Sequence, residues 1–272
     1  MIDIALFGSV VEEKYLSVLK DLEDHPEVGN VYYHKNLADE LGKESYDIDE
    51  FLSKDFDFIM SVGGDGTILK LLQKTDEPIL GVNTGTVGFL TSVEISDLDD
   101  ALHKIYEGDY YIDERIKLDV ILNGEKVGEC SNEAVVHTDK IAKIRGFEVW
   151  HGDQKVDKFR SDGLIISTPT GSTCYAMSAG GPIVNPYVEA FVIVPISPYE
   201  LATKPYVVPV DKDIKVNLTE EDKSGLMVLD GQKEFLVDEQ DDLVFKLSNN
   251  KAKFISFEND FYERIKKKLV FK

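Results

Sequence analysis

Cysteine is scarce in this 272-residue chain: Cys130 and Cys174 are far apart and neither lies in a CxxC or Cys/His ligand spacing. Free thiols are the reading that follows, and no zinc-ligand pattern is present. Basic charge is also short, with 30 Lys and Arg against 51 Asp and Glu and a formal net charge of −21. Such a surface repels phosphate backbones and anionic membranes, which argues against a general nucleic-acid binder. No run of 18 apolar residues occurs, so no membrane-spanning helix is expected. The opening segment MIDIALFGSV has neither a basic lead nor a small-residue cleavage site, and a cytoplasmic location is the expectation. The five histidines, at 25, 34, 103, 137 and 151, form no HExxH set. The GxxxxGK[ST] and GxGxxG patterns are absent too. A zinc hydrolase, a P-loop enzyme and an ordinary dehydrogenase all lose support. There is no internal repeat, low-complexity tract or Pro/Ser linker.

What is there begins as strand alternating with helix. Ile2 to Phe7 is a short apolar strand, residues 10–22 have helical spacing, and Val28 to Tyr33 is β-branched and aromatic. Phe56 to Val62 reads as a strand, followed by GGDGT and the helical ILKLLQK, and Pro78 to Val82 is a further strand. SDLDDALHKIYEG predicts a helix capped by Ser96, with Gly108 just past its end. This alternation predicts a parallel sheet flanked by helices over residues 1–110. From Tyr111 to about residue 258 the texture changes to short runs rich in Val, Ile and Phe. The turn dipeptides Asn123-Gly124, Gly152-Asp153, Asp230-Gly231 and Asn249-Asn250 separate them, predicting antiparallel strands in an all-β, sandwich-like region. TGSTCYAMSAGG, after Pro169, is too small and too rich in hydroxyls to be sheet; a loop leading into a short helix is expected. The tail at 259–272 contains the basic run FYERIKKKLVFK and is expected to be a terminal helix with a solvated face; the alternative docks it on an acidic face or beside phosphates.

The chemistry concentrates in three places. Gly63-Gly64-Asp65-Gly66-Thr67 sits between a buried-type strand and a helix, where glycines permit a sharp turn and free N–H groups favour anions. Asp65 would repel a phosphate, so its economical use is to orient, or take a proton from, an attacking hydroxyl; the bland alternative makes it the helix N-cap. A second glycine cluster, Gly81 to Leu90, follows the next strand, and both loops would emerge at the carboxyl edge of a parallel sheet. Asn132-Glu133 offers an amide beside a carboxylate, suited to sugar hydroxyls or base edges. FRSDGLIISTPTGSTCYAMSAGGPI, residues 159–183, adds Arg160, Asp162 and a dense set of hydroxyls at Thr170, Ser172, Thr173, Tyr175 and Ser178. Such density reads as a ligand cradle, because buried hydroxyls must find partners.

GGDGT after a strand, Asn-Glu about 65 residues later and the 159–183 segment together resemble the NAD kinase family, ATP- or polyphosphate-dependent. GGDGT alone is shared with lipid kinases and phosphofructokinases. The resemblance implies a Rossmann-like α/β N-terminal domain, an all-β C-terminal domain and NAD held between them. It implies Asp65 as the proton acceptor for the adenosine ribose 2′-hydroxyl, with Gly66 lining the same site and Gly63, Gly64, Gly66 and Thr67 forming the phosphate loop. It further implies dinucleotide contacts from Asn132, Glu133, Lys143, Arg160, Asp162, Thr170 and Gln232, and from Thr173, Cys174, Tyr175, Ala176, Met177 and Ser178. ATP as co-substrate, a divalent metal (Mg²⁺) arriving with the nucleotide rather than on a protein-held metal site, and a homodimer or homotetramer are implied as well. The chain departs from the family pattern at Cys174, where Ala is usual, at Tyr199, where His is usual, and near Lys204, where Arg is usual. A GGDGT-type lipid kinase and a non-catalytic dinucleotide sensor are the alternatives. The acidic surface and the absence of a basic membrane face weigh against the first, and retention of a candidate base weighs against the second.

Overall fold

The computed structural model describes residues 1–8, 13–85, 88–140, 143–219, 224–259 and 261–270. The chain divides into two compact units, one made of 1–114 together with 252–272 and the other of 115–251. The second join therefore falls earlier than the residue 258 read from the sequence. The reason is that Ala252, Phe254 and Ile255 are buried in the cores of the first unit.

The first unit is a parallel sheet. Its strands are β1 (Ile2–Gly8), β2 (Val28–His34), β3 (Ser45–Tyr46), β4 (Phe58–Gly63), β5 (Ile79–Asn83) and β6 (Val93–Glu94), and the end of a later strand lies beside β5. The spatial order β5-β4-β1-β2-β3, with every pairing parallel, puts the chain reversal between β1 and β4. In open α/β sheets the crevice at the carboxyl ends beside such a reversal is where ligands bind, and the GGDGT turn follows β4. Alternation at period two explains how each strand serves both faces. Ile4, Leu6, Met60, Val62, Leu80 and Val82 join one core, whereas Ala5, Phe7, Ile59 and Ile79 join the other.

Helices α1 (Glu13–Lys20), α2 (Lys35–Leu41) and α5 (Leu98–Glu107) supply buried residues to the first face, and α3 (Ile48–Leu52) and α4 (Asp65–Leu72) to the second. In α4, Ile68, Leu71 and Leu72 are essentially inaccessible. Each is worth at most roughly 1.5–3 kcal/mol of apolar burial, which fixes the helix whose first turn carries Asp65. Val10 lies outside the described residues, and one reading changes. The α5 N-cap is Asp97, without a side-chain cap bond, whereas Ser96 belongs to a 3₁₀ turn and its hydroxyl faces Asp97. Gly108 ends α5 in the left-handed conformation, as the glycine position predicts.

The second unit is two antiparallel layers over one core. One layer contains β9 (Glu133–Thr138), β12 (Gly163–Ser167), β13 (Ala190–Ile196), β14 (Tyr206–Pro209), β16 (Gly225–Leu229) and β17 (Lys233–Val237), in the order β14-β13-β12-β9-β16-β17. The other contains the hairpin β7 (Tyr111–Leu122) and β8 (Glu125–Cys130). With it run β10 (Arg145–His151), β11 (Gln154–Ser161), β15 (Ile214–Leu218) and β18 (Leu243–Ser256), in the order β11-β10-β15-β18. Leu118, Phe147, Leu164, Phe191, Met227 and Phe245 meet in the shared core, which makes the unit a sandwich. Asn123-Gly124 turns β7 into β8 with both φ angles positive, 54° and 83°, the geometry that Asn-Gly favours. Asn249-Asn250 is not a turn: both lie inside β18, where the Asn250 amide donates to Glu129 Oε1 at 2.7 Å. A side-chain partner replaces the turn that the sequence implied.

Candidate functional site

β4 is buried along its whole length and ends at Gly63, whose φ of 147° suits a residue without a side chain. Gly64 is the N-cap of α4, and no side chain caps the helix. The amides of its first turn lack i−4 carbonyl partners by construction, and a methyl group added at Gly64 or Gly66 would meet nothing within 4 Å. Space and donors therefore coincide above the turn, an arrangement that receives anions. Thr67 is buried.

Asp65 does not cap its helix. Its carboxylate accepts hydrogen bonds from the Phe89 amide at 2.6 Å and the Leu90 amide at 3.0 Å. Gly88 is required there, because a Cβ on it would stand 1.7 Å from Asp65 Oδ1. The two glycine clusters thus meet through this carboxylate, which stays partly exposed. Thr86 and Val87, inside the second cluster, lie outside the described residues. Thr91 braces the same turn: its hydroxyl accepts from the Gly88 amide at 3.0 Å.

In the second unit, Asn132 and Glu133 stand at the start of β9, and both are buried. Their backbone is gripped from two sides. Asp230 accepts from the amides of Ser131, Asn132 and Glu133 at 2.7, 2.8 and 3.0 Å. The Thr168 amide donates to the Asn132 carbonyl at 2.8 Å, and the Thr168 hydroxyl to the Ser131 carbonyl at 2.6 Å. With their backbone so occupied, the side chains are free for other work. Ser131 Oγ, Asn132 Oδ1, Glu133 Oε2 and Thr170 Oγ1 are buried without a protein hydrogen-bond partner. Buried polar atoms in native proteins are nearly always satisfied, so four together make this a candidate place for a polar ligand or bound water. Burial, and then the neighbouring charge of Asp230, raise the Glu133 carboxyl to about 8. At neutral pH it holds a proton and acts as a donor as well as an acceptor.

Part of the hydroxyl-rich segment also supports its own backbone. Ser172 Oγ donates to the Pro169 carbonyl and accepts from the Val184 amide, and Thr173 Oγ1 donates to the Thr170 carbonyl. These bonds build the 3₁₀ turn Thr170–Thr173 that leads into α6 (Tyr175–Ser178). Within α6, Ala176 packs among Ile165, Val192 and Val194. Tyr175 and Ser178 are exposed, and Met177 and Cys174, which is in no disulfide, are partly buried.

Arg160 is exposed and turned toward Tyr199 and Glu200. Its guanidinium lies 4.7 Å from the Tyr199 ring centre, its Nε is 3.8 Å from Glu200 Oε1, and its amide donates to Glu200 Oε2. Tyr199, one departure from the family pattern, thereby acquires a cation–π partner. Asp162 exchanges backbone bonds with Thr138 and Ile196, and Lys204 Nζ donates to the Leu201 carbonyl. Lys143 is exposed, and Gln232 folds its amide onto the Asp230 carbonyl at 3.3 Å. Reading the sequence missed Asp230 as a site residue, because Asp230-Gly231 registers only as a turn. The available signal was an acidic residue in a turn dipeptide two positions ahead of Gln232, and it adopts the left-handed conformation (φ 47°).

A parallel α/β unit with a glycine turn at its switch point, and a β-sandwich unit holding a cradle of unsatisfied polar groups, define a nucleotide-using transferase. The family models for the "ATP-NAD kinase N-terminal domain" and the "ATP-NAD kinase C-terminal domain" match residues 8–110 and 131–257. The chain belongs to the NAD kinase family. It is 40% identical over 238 residues to an NAD kinase from Thermoplasma volcanium, covering 88% of this chain and 86% of the relative. To an NAD kinase from Methanosarcina acetivorans it is 41% identical over 242 residues, covering 88% of each. The crystal structure of an NAD kinase from Archaeoglobus fulgidus in complex with ATP superimposes with a TM-score of 0.78 at 31% identity, covering 97% of each chain.

Proposed function

We propose that the chain transfers the terminal phosphoryl group of ATP to the 2′-hydroxyl of the adenosine ribose of NAD, giving NADP. The observation that carries this reading is the Asp65 carboxylate, fixed by two loop amides at the mouth of the glycine turn while remaining partly exposed. The amides hold its orientation and leave oxygen lone pairs for a sugar hydroxyl. Asp65 orients that hydroxyl and takes its proton late, when the forming P–O bond has made the oxygen acidic. Gly63, Gly64, Gly66 and Thr67 carry the turn; the Thr67 amide closes it on the Gly64 carbonyl at 2.9 Å, and the remaining first-turn N–H groups face the transferred phosphate. Asn132, Glu133 and Thr170 bind the dinucleotide with the polar atoms that lack protein partners, while Arg160, Asp162, Lys143, Gln232 and residues 173–178 complete the cradle.

Mg²⁺ enters as part of the nucleotide co-substrate. Among the described residues no group of three or more His, Cys, Asp or Glu could hold a metal, and the phosphates supply oxygens that this ion prefers. The chain works in the cytoplasm as a homodimer or homotetramer, a state that sedimentation checks. Among the described residues no helix is long and apolar enough to cross a membrane. The deciding experiment is NADP formation with ATP and with polyphosphate, each tried separately on wild type and D65N. D65N retains NAD binding and loses roughly a hundredfold in turnover; undiminished turnover refutes the role of Asp65.

A further inference from the structure

The C-terminal helix α7 (Phe261–Ile265) buries none of its residues. A cavity of about 720 Å³ lies beside it, and its lining includes Glu94, Asp97 and Asp100 as well as Arg264, Lys267 and Lys268. Phe261, Arg264 and Ile265 are only partly buried, so polar contacts count for much of how α7 is held. Two contacts of this segment reach the same turn. Arg264 Nη1 donates to the Thr91 carbonyl at 2.7 Å, and Lys268 Nζ stands 4.0 Å from the centre of the Phe89 ring. Thr91 in turn receives the Gly88 amide, and the Phe89 and Leu90 amides hold Asp65.

We propose that Arg264, assisted by Lys268, is a positioning residue: it clamps the 88–91 turn so that its amides present the Asp65 carboxylate in one orientation. The physical chain is short. The guanidinium fixes the Thr91 carbonyl, Thr91 fixes Gly88, and two consecutive N–H groups cannot point at one carboxylate unless the turn between them is held. The loop is joined to Asp65 by two hydrogen bonds, so a loosened loop means a carboxylate that samples other rotamers, and positioning errors of this kind cost rate rather than affinity. The basic tail, expected from its composition to face solvent, thus acquires a role inside the phosphotransfer site. This inference rests on Asp65 acting on the hydroxyl, as proposed above.

The test compares wild type, R264A, R264K, K268A and D65N. It reads kcat and the KM for NAD per folded molecule, together with residue-resolved amide hydrogen exchange at Phe89 and Leu90. R264A is expected to lower kcat about tenfold and to raise exchange at both amides by about tenfold, leaving thermal unfolding of the rest of the chain in place. R264K, which still donates to a carbonyl, restores most of both, and K268A gives a smaller effect of the same sign. Unchanged exchange in R264A overturns the clamp whatever D65N shows, because exchange does not depend on catalysis. Raised exchange with intact kcat in R264A, beside a D65N variant that has lost turnover, overturns the positioning role. Full turnover in D65N removes the Asp65 reading itself, and exchange then still decides whether the clamp exists.

Discussion

Glu133 is the most perturbed side chain of the cradle, raised to about 8 by burial and then by the charge of Asp230. Asp230 holds that charge because three amides converge on it. The sign of the linkage follows. Between its ordinary value near 4.5 and about 8, the folded chain binds a proton that the unfolded chain has released. Stability is therefore full below the lower value, falls as pH rises through this window, and levels off above it. Each tenfold gain in proton affinity on folding is worth about 1.4 kcal/mol, so even half of the window would give roughly 2 kcal/mol. E133Q should remove this slope: its melting temperature, compared with wild type from pH 5 to pH 8, should hold while the wild type declines. If the two curves run parallel, the proton sits elsewhere. D230A should be far more costly, about 3 kcal/mol or more in denaturant unfolding, since it strands three buried amides. The Asn-Glu dipeptide was a candidate from its chemistry, and both residues are buried. Its support was not legible, because Asp230 is about a hundred residues away in sequence and only the fold brings it to 131–133.

Strands and turns were the most readable elements, since period-two alternation and Asn-Gly or Asp-Gly dipeptides are local signals. What escaped was set by neighbours. α2 and α3 are short, and their caps come from His34 and Asp47, residues with no helical periodicity of their own. The Asn249-Asn250 error has the same origin, because Asn250 bonds to a charged cluster formed by other strands. In it Lys117 of β7 pairs with Glu129 of β8 at 2.7 Å, and Lys126 lies 2.9 Å from Asp119. Ser248 and Asn250 of β18 add hydrogen bonds to Glu129. Burial alone would raise the Glu129 carboxyl, but hydrogen bonds and charge from Lys117 and Lys126 outweigh it and hold the group at about 2. A depressed carboxyl stabilises above its ordinary pKa, here 4.5, and loses that contribution as pH falls toward about 2. E129Q should cost roughly 3 kcal/mol at pH 7, because it leaves the buried Lys117 ammonium without this carboxylate. K117M/E129Q should recover most of that loss, as urea unfolding of the single and double variants would reveal; a double variant no better than E129Q would mean that the pair itself, and not the stranded charge, stabilises the layer.

At the scale of the whole molecule, the sequence showed two textures but not that the chain returns to the first after finishing the second. The return is made by the last residues of β18, whose alternation looks like any other strand of the β region. Phe254 pairs in parallel with Ile79 and joins the core beneath α4, while Ile255 joins the opposite core. Two truncations separate the consequences. Ending the chain after Lys251 removes Ala252, Phe254 and Ile255, all nearly inaccessible. Losing the two large side chains alone forfeits roughly 3–6 kcal/mol of apolar burial, a large share of the stability of an ordinary domain. It also exposes the hydrogen-bonding edge of β5. That variant should lose the cooperative melting of the first unit, read by near-ultraviolet circular dichroism. Ending the chain after Glu258 keeps these residues and removes only the helix that buries none of its own. It should melt within a few degrees of wild type while losing about as much turnover as R264A. The pair of truncations thus separates what the C-terminal segment does for the fold from what it does for Asp65. A variant ending at Glu258 that unfolded like the shorter one would show the helix to be part of the core after all.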